Sequence, residues 1–314
     1  MSYYDALRDT RFPLQHGSGA MPAVGFGTLF RDLTATTQAV TQALEAGFRH
    51  FDCAERYGNE AQVGAAIHDA VAAGKVRRED LFITTKLWNN NHRPERVVPA
   101  FEASCRRLRV EVIDCYMIHT PFAFLPGDEL HPRDAFGHVL YDSGVTLIET
   151  WRVLERLVDE GRCKSIGVSD ISLETLRELV AVARIKPAVV QVESHPYLPE
   201  WELLEFCRQH GIVVLAFAPL GHGMRPRVLD EPVITGIARR VRKTPAQVAL
   251  AWSVQRGVAF LTSSVTPARI REDADISTLP QVAMREIEQD ITTRVRFNPV
   301  MDTGVLGFIS REKC

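Results

Sequence analysis

The chain has 314 residues, 46% of them hydrophobic and 24% charged, and a formal net charge of −2. Such a chain can bury the core of one barrel or of two smaller domains. The charge balance favours neither nucleic acid nor an anionic membrane as a partner, and no apolar stretch reaches the roughly 18 residues of a spanning helix.

The first element expected is a hairpin. Segments 10–14 and 21–24 flank the turn-rich His16-Gly17-Ser18-Gly19. The short run AVGFG follows, then a polar loop, then a helix at 36–46 closed by Gly47. From there strands and helices alternate. The strands expected are FRHFD, LFITTK, VIDCYMI, SIGVS, AVVQVES, IVVLAFA and VAFLTSS. Amphipathic segments at 59–73, 95–108, 146–160, 173–183, 200–210 and 245–256 separate them. Thr244-Pro245-Ala246-Gln247 is a capping box with Pro at the first helical position, and Thr266-Pro267 opens another helix in the same way.

With AVGFG the strands number eight, each apolar enough to be covered on both faces. That pattern predicts an α/β fold, a (β/α)₈ barrel with an N-terminal β-hairpin. A single domain over 1–314 is expected. Two long intervals, 121–143 and 220–232, follow strand ends on the C-terminal face, where barrel enzymes build their sites. Gly25-Phe26-Gly27 is a poor dinucleotide fingerprint, because Phe30 stands where its third glycine belongs. No HExxH, CxxC or zinc-spaced Cys/His pair is present, so no metal is expected. Six scattered cysteines suggest reduced thiols, and the charged N-terminus MSYYDALRDTRF is no signal peptide. The expected location is cytoplasmic.

Three successive strands end in ionisable residues: Asp52, Lys86 and His119. Tyr57 follows the first of them. A buried Lys86 would stay charged beside Asp52. A nearby ammonium is expected to lower the phenol's ordinary pKa of about 10 and let Tyr57 act as an acid near neutral pH. His119 would orient an oxygen that is gaining negative charge, such as a carbonyl receiving hydride.

At this point the sequence resembles the aldo-keto reductase family, aldehyde/aldose reductase-like and of a bacterial type. The resemblance rests on GFRHFDCAERYGNEAQVGAAI, ITTKLWNNNHRPERV, CYMIHTPFAFLPGDELHPRD, WRVLERLVDEGRCKSIGVSD, VVQVESHPYLPEWELLEFC and TPAQVALAWSVQRGV, in unbroken order from about residue 10 to 300. It implies a (β/α)₈ barrel and reversible nicotinamide-dependent carbonyl reduction. It also implies a catalytic tetrad of Asp52, Tyr57, Lys86 and His119.

Cofactor residues follow from the resemblance by position. Gly27 and Thr28 match the loop after the first strand. Ser169 and Gln191 match carboxamide contacts, with Asp170 where the family has Asn. A carboxylate accepts from an amide but cannot donate to it. Phe217 stands for the stacking Tyr, Ala218 for a Ser, and Pro219, Leu220 and Gly221 keep the pyrophosphate strap. LTSSVTPARIRED resembles the adenosine-phosphate segment, implying Ser263, Ser264, Val265, Thr266, Arg269, Glu272 and Asp273 as contacts. Ser263 replaces the family's lysine, Thr262 its proline and Asp273 an Asn. The expected cofactor is therefore NADPH (NADP+), with NADH tolerated by a smaller margin than usual.

The resemblance places Leu29, Trp88, His119, Thr120, Phe122 and Phe124 around the substrate. Leu29 and Thr120 stand where Trp is frequent, implying a wider pocket. Arg56 is expected in solvent, His195 as a structural hydrogen-bonder and His222 near the strap. The tail after 296 would supply a further substrate loop. The partner expected is a small carbonyl compound, on a monomer or weak homo-oligomer. Two alternatives stay open: a non-catalytic, cofactor-binding relative, and another barrel enzyme forming a Schiff base at Lys86.

Overall fold

The computed structural model describes residues 5–298. It begins with a two-stranded antiparallel hairpin, β1 (Arg11–Pro13) and β2 (Ala20–Pro22). Next come β3 (Val24–Gly27), α1 (Leu33–Glu45), β4 (His50–Asp52), α2 (Glu60–Ala72), β5 (Phe82–Leu87) and α3 (Pro94–Leu108). The middle of the chain supplies β6 (Ile113–Ile118), α4 (Leu147–Asp159), β7 (Cys163–Ser169), α5 (Leu173–Val182), β8 (Val189–Glu193) and α6 (Trp201–Gln209). The last third carries β9 (Val213–Phe217), α7 (Pro232–Val241), α8 (Pro245–Gln255), β10 (Val258–Thr262), α9 (Pro267–Ala274) and α10 (Gln281–Asp290).

Strands β3 to β10 pair in chain order, all parallel, and β10 closes on β3. The barrel is the one the alternation predicts. Hydrophobic residues fill two layers. The larger lies between strands and helices and includes Phe51, Ile83, Tyr116, Trp151 and Trp252. The smaller lies inside the barrel, where Met117, Leu215 and Leu261 meet Leu14 and Met21 from the hairpin segment. The hairpin thus closes the face opposite the site. Gly25 belongs to this packing: a Cβ there would lie 2.6 Å from Leu261 and 2.8 Å from His50. Close approach of strands, rather than phosphate binding, accounts for that glycine.

Side-chain caps explain several helix starts. Thr244 and Gln247 exchange both capping-box hydrogen bonds at the start of α8. Helix α1 starts three residues before the expected 36, because the Asp32 carboxylate accepts the Ala35 N–H. Thr266 precedes α9, but its side chain caps nothing; instead the Ser264 hydroxyl accepts the Thr266 N–H at 3.0 Å. Helices α7 and α10 fall in stretches where the sequence reading places no helix. Each is signalled by Pro at its start, and by Ile234, Ile237 and Ala238 in α7 or Ala283, Met284 and Ile287 in α10 on the buried face.

Parallel pairing sets the register of the C-terminal face. Gly27 pairs with Asp52, Ser169 with Gln191, and Glu193 with Phe217. Residues far apart in sequence therefore meet around one opening.

Candidate active site

Asp52 ends β4 and Lys86 lies one residue before the end of β5, both buried. The ammonium has three protons, and the structure directs all three. Nζ donates to Asp52 Oδ2 at 2.6 Å, to the Cys53 carbonyl at 3.1 Å and to the Tyr57 hydroxyl at 3.4 Å. The other Asp52 oxygen accepts from Gln191 Nε2 at 2.9 Å. Burial opposes the charge on Lys86, but Asp52 and Tyr57 hold it above the ordinary lysine range.

Tyr57 closes a single turn of 3₁₀ helix, Glu55–Tyr57, stopped by Gly58 in the left-handed region at φ 68°. Three neighbours fix that turn. Glu55 accepts from the Trp88 N–H at 3.0 Å and from Asn91 Nδ2 at 2.7 Å, and Asn59 Nδ2 donates to the Thr28 carbonyl at 2.7 Å. Behind it, buried Glu60 accepts from Thr85, Ser104 and Arg107, tying α2 to β5 and α3. Burial pushes the Tyr57 phenol above its ordinary pKa, while Lys86 pulls it down by less. This corrects the net lowering expected from sequence: desolvation of the phenolate outweighs the pull of the ammonium. The phenol therefore remains a protonated donor throughout the neutral range.

His119 follows β6, and its ring meets Tyr57 edge-on at 5.8 Å and Trp88 at 4.9 Å. Burial, with Lys86 and Arg56 nearby, drives its pKa well below the ordinary histidine value. The imidazole is neutral and offers a hydrogen bond rather than a charge.

A cavity of about 190 Å³ opens beside these groups, too small for a whole dinucleotide, so it marks the reacting end of the site. Asp52, Tyr57 and His119 line it with Gly27, Leu29, Ser169, Asp170, Gln191, Phe217 and Ser263. Arg56, Ala218, His222 and Asn298 also line it. Arg56 is exposed, as expected, and also faces the cavity mouth, with its guanidinium over the Trp88 ring at 4.9 Å and 3.5 Å from His131. Its place next to Tyr57 in a turn was the available signal.

Several expected residues lie elsewhere. Phe122 and Phe124 are buried in a cluster with Trp88, Val139 and Tyr141, so they support the loop instead of lining the cavity. Thr120 is buried and donates to Asn89 Oδ1 at 2.7 Å. Thr28 hydrogen-bonds the Asp52 carbonyl at 2.9 Å and acts from behind the wall. Trp88 supports His119 from the same side. Pro219, Leu220 and Gly221 continue from Phe217 as a buried or half-buried strap. Ser264, Val265, Thr266 and Arg269 lie at the exposed or half-exposed start of α9, beyond the cavity. Arg269 has no ion-pair partner among the described residues. Asp273 is buried, and burial raises its carboxyl to about 7, so it does not face outward as an adenine contact would. Glu272 is half-buried. Of the tail after 296, only Phe297 and Asn298 fall within the described residues.

The wall facing the acid fits a flat, amide-bearing ring. Phe217 offers an aromatic face, and Ser169 and Gln191 offer polar atoms. The Asp170 carboxylate has no side-chain partner among the described residues, and burial raises it to about 7. Asp170 and Ala218 both adopt left-handed backbone, at φ 54° and 51°, where strand turns into loop. Non-glycine residues held so are uncommon and cluster at functional sites.

A barrel with a charge-supported phenol, a neutral imidazole and a cofactor-shaped wall at its C-terminal face is a carbonyl oxidoreductase. Residues 23–290 match the model of the Aldo/keto reductase family, and the chain belongs to that family. It is 42% identical over 271 residues to aldo-keto reductase family 1 member A1 of Rattus norvegicus, covering 84% of this chain and 83% of that protein. To family 1 member A1-A of Danio rerio it is 43% identical over 264 residues, 82% and 81% of the two chains. The aldose reductase of Schistosoma japonicum superposes with a TM-score of 0.90 at 36% identity, over 97% of this chain and 100% of that one. The protein is accordingly an NADPH-dependent oxidoreductase that reduces aldehydes or ketones to alcohols.

Among the described residues no helix is long and apolar enough to cross a membrane. Cys53, Cys105, Cys115, Cys163 and Cys207 are free thiols.

Proposed function

We propose that Tyr57 supplies the proton in this reduction and that His119 positions the carbonyl. The observation that carries this reading is the Lys86 ammonium, held between Asp52 at 2.6 Å and the Tyr57 hydroxyl at 3.4 Å. As the carbonyl oxygen gains negative charge, the phenol proton moves to it, and the ammonium stabilises the phenolate left behind. Asp52 keeps that ammonium charged and aimed. Neutral His119 donates to the same oxygen without competing for the proton. Bound NADPH supplies the hydride.

Ser169, Asp170 and Gln191 would hold the nicotinamide carboxamide, with Phe217 against the ring and the strap 219–221 over the pyrophosphate. Arg269 and Ser264, at the start of α9, would take the 2′-phosphate. With Ser263 in place of an ammonium, NADH serves as a weaker alternative. The exposed Leu29 leaves the mouth open to bulky carbonyls. The working form is a single-domain cytoplasmic monomer or weak homo-oligomer. No observation favours the non-catalytic reading or a Schiff base at Lys86, whose protons are all directed elsewhere.

The test is an NADPH-consumption screen over aldehydes and ketones with the wild type and Tyr57→Phe. Turnover that persists in Tyr57→Phe would remove the phenol from the mechanism.

A further inference from the structure

Glu193 is a buried carboxylate outside the tetrad, at the end of β8, 1% exposed. Both of its oxygens are committed to a segment more than a hundred residues later. Oε1 accepts the Phe297 N–H at 2.7 Å, and Oε2 accepts the Asn298 N–H at 2.8 Å. Oε1 also meets His195 Nε2 at 2.9 Å. Burial would raise this carboxyl, but His195 and the two backbone donors hold it below the ordinary glutamate value. A buried anion gripping two consecutive N–H groups fixes both the position and the direction of the chain that carries them.

The surroundings make that direction matter. The Phe297 ring lies 5.0 Å from the His195 ring. On another side it touches the strap: a Cβ on Gly221, which has φ +72°, would lie 2.9 Å from the Phe297 ring. Just upstream, the Val295 N–H donates to the Tyr197 carbonyl at 3.1 Å, and Arg296 pairs with Glu200. The next residue, Asn298, lines the cavity that Tyr57 and His119 also line. Glu193 therefore stands where the strap after β9 and the returning chain come together.

We propose that Glu193 is a positioning residue, which clamps residues 297–298 across the barrel mouth and thereby sets Asn298 as the specificity-determining wall of the substrate pocket. It touches no reacting atom. Its effect falls on how large a carbonyl is accommodated, and on the strap through Phe297. A small aldehyde reaches Tyr57 without leaning on that wall; a bulky ketone does not.

The experiment uses the full-length enzyme as wild type, Glu193→Gln, Asn298→Ala and the double variant. Gln keeps one acceptor oxygen and the side-chain volume, so the variant is expected to fold; thermal unfolding and cofactor fluorescence check this. Amide hydrogen exchange over 295–298 should speed up at least tenfold in Glu193→Gln, the scale of one lost charge-assisted hydrogen bond. KM for a bulky aryl ketone should rise about tenfold while kcat for a short aldehyde stays within about twofold. Asn298→Ala should change little further in the Glu193→Gln background, since residues acting through one contact are not additive. Unchanged exchange at 297–298, or effects that multiply, or equal loss for both substrates, would overturn the proposal. The exchange measurement judges the clamp even if the assigned roles of Tyr57 and His119 fail. If Glu193→Gln does not fold, His195→Gln loosens the same carboxylate, and its exchange is read in the same way.

Discussion

Asp52 ends β4 and Asp170 directly follows β7; both line the same cavity, the first buried and the second half-buried, yet they are treated in opposite ways. Asp52 accepts a hydrogen bond from Lys86 on one oxygen and from Gln191 on the other. Asp170 has no side-chain partner among the described residues, and its backbone is held left-handed. The contrast extends to the walls they belong to. On the acid side, Tyr57, Lys86, Glu55 and Asn59 are joined by hydrogen bonds that leave each one orientation. On the facing side, Phe217 is half-buried and Arg269 has no ion pair among the described residues. Groups that must be poised before substrate arrives are expected to be over-determined in this way.

Breaking the acid wall should have the largest effect. Tyr57→Phe removes only the hydroxyl, so the fold and cofactor binding should survive while kcat/KM falls by about 10²–10⁴-fold. Steady-state kinetics beside a cofactor fluorescence titration checks both halves. Because the phenol is held above its ordinary value, wild-type reduction should keep its protonated acid through neutral pH and lose it only above about pH 10. Alcohol oxidation, which needs the phenolate, should rise over that same alkaline range.

The cofactor wall should break in a way that discriminates. Arg269→Ala should lower kcat/KM for NADPH by about ten- to a hundredfold, the value of a charge-assisted phosphate contact, and leave NADH nearly unchanged. Equal loss with both cofactors would place the 2′-phosphate elsewhere.

The two walls also differed in how far sequence could read them. The acid wall follows from a rule that holds strand by strand: apolar runs stop at Asp52, near Lys86 and before His119, and parallel pairing brings strand ends level. The long loop after β6 obeys no such rule. Phe122 and Phe124 read as pocket residues until the contacts show them packed on Trp88 and Tyr141. Arg56 is exposed as read, but its rest on the Trp88 indole has no sequence signature. Helix α7 escaped because its Arg-rich, polar surroundings mask a short apolar stripe.

Between the walls lies the mouth. Leu29 is 56% exposed there, whereas Thr120 is buried against Asn89. A Trp at 120 would disturb the loop, so the informative change is Leu29→Trp alone. Bulky ketones should lose about tenfold in kcat/KM and short aldehydes much less. A uniform loss would mean that Leu29 does not shape the mouth.

Asp170 offers the finest probe of the difference between the walls. Burial lifts its carboxyl to about 7; Arg296, Lys86 and Arg56 oppose the lift, and Glu193 adds to it. In the unfolded chain an aspartate titrates near 3.9, so its ionisation weakens the folded state progressively from about pH 4 up to pH 7. Asp170→Asn, which cannot ionise, should therefore raise the melting temperature more at pH 8 than at pH 5. The same switch bears on the cofactor. Below pH 7 the neutral acid both donates and accepts, as an asparagine amide does; above it the carboxylate only accepts, and it attracts the positive ring of NADP+. At pH 8 the wild type should favour NADP+ over NADPH by about two- to fivefold more than Asp170→Asn does, and the gap should close at pH 6. Fluorescence titrations of both cofactors at the two pH values measure it, and a gap that does not change with pH would mean that Asp170 does not face the nicotinamide.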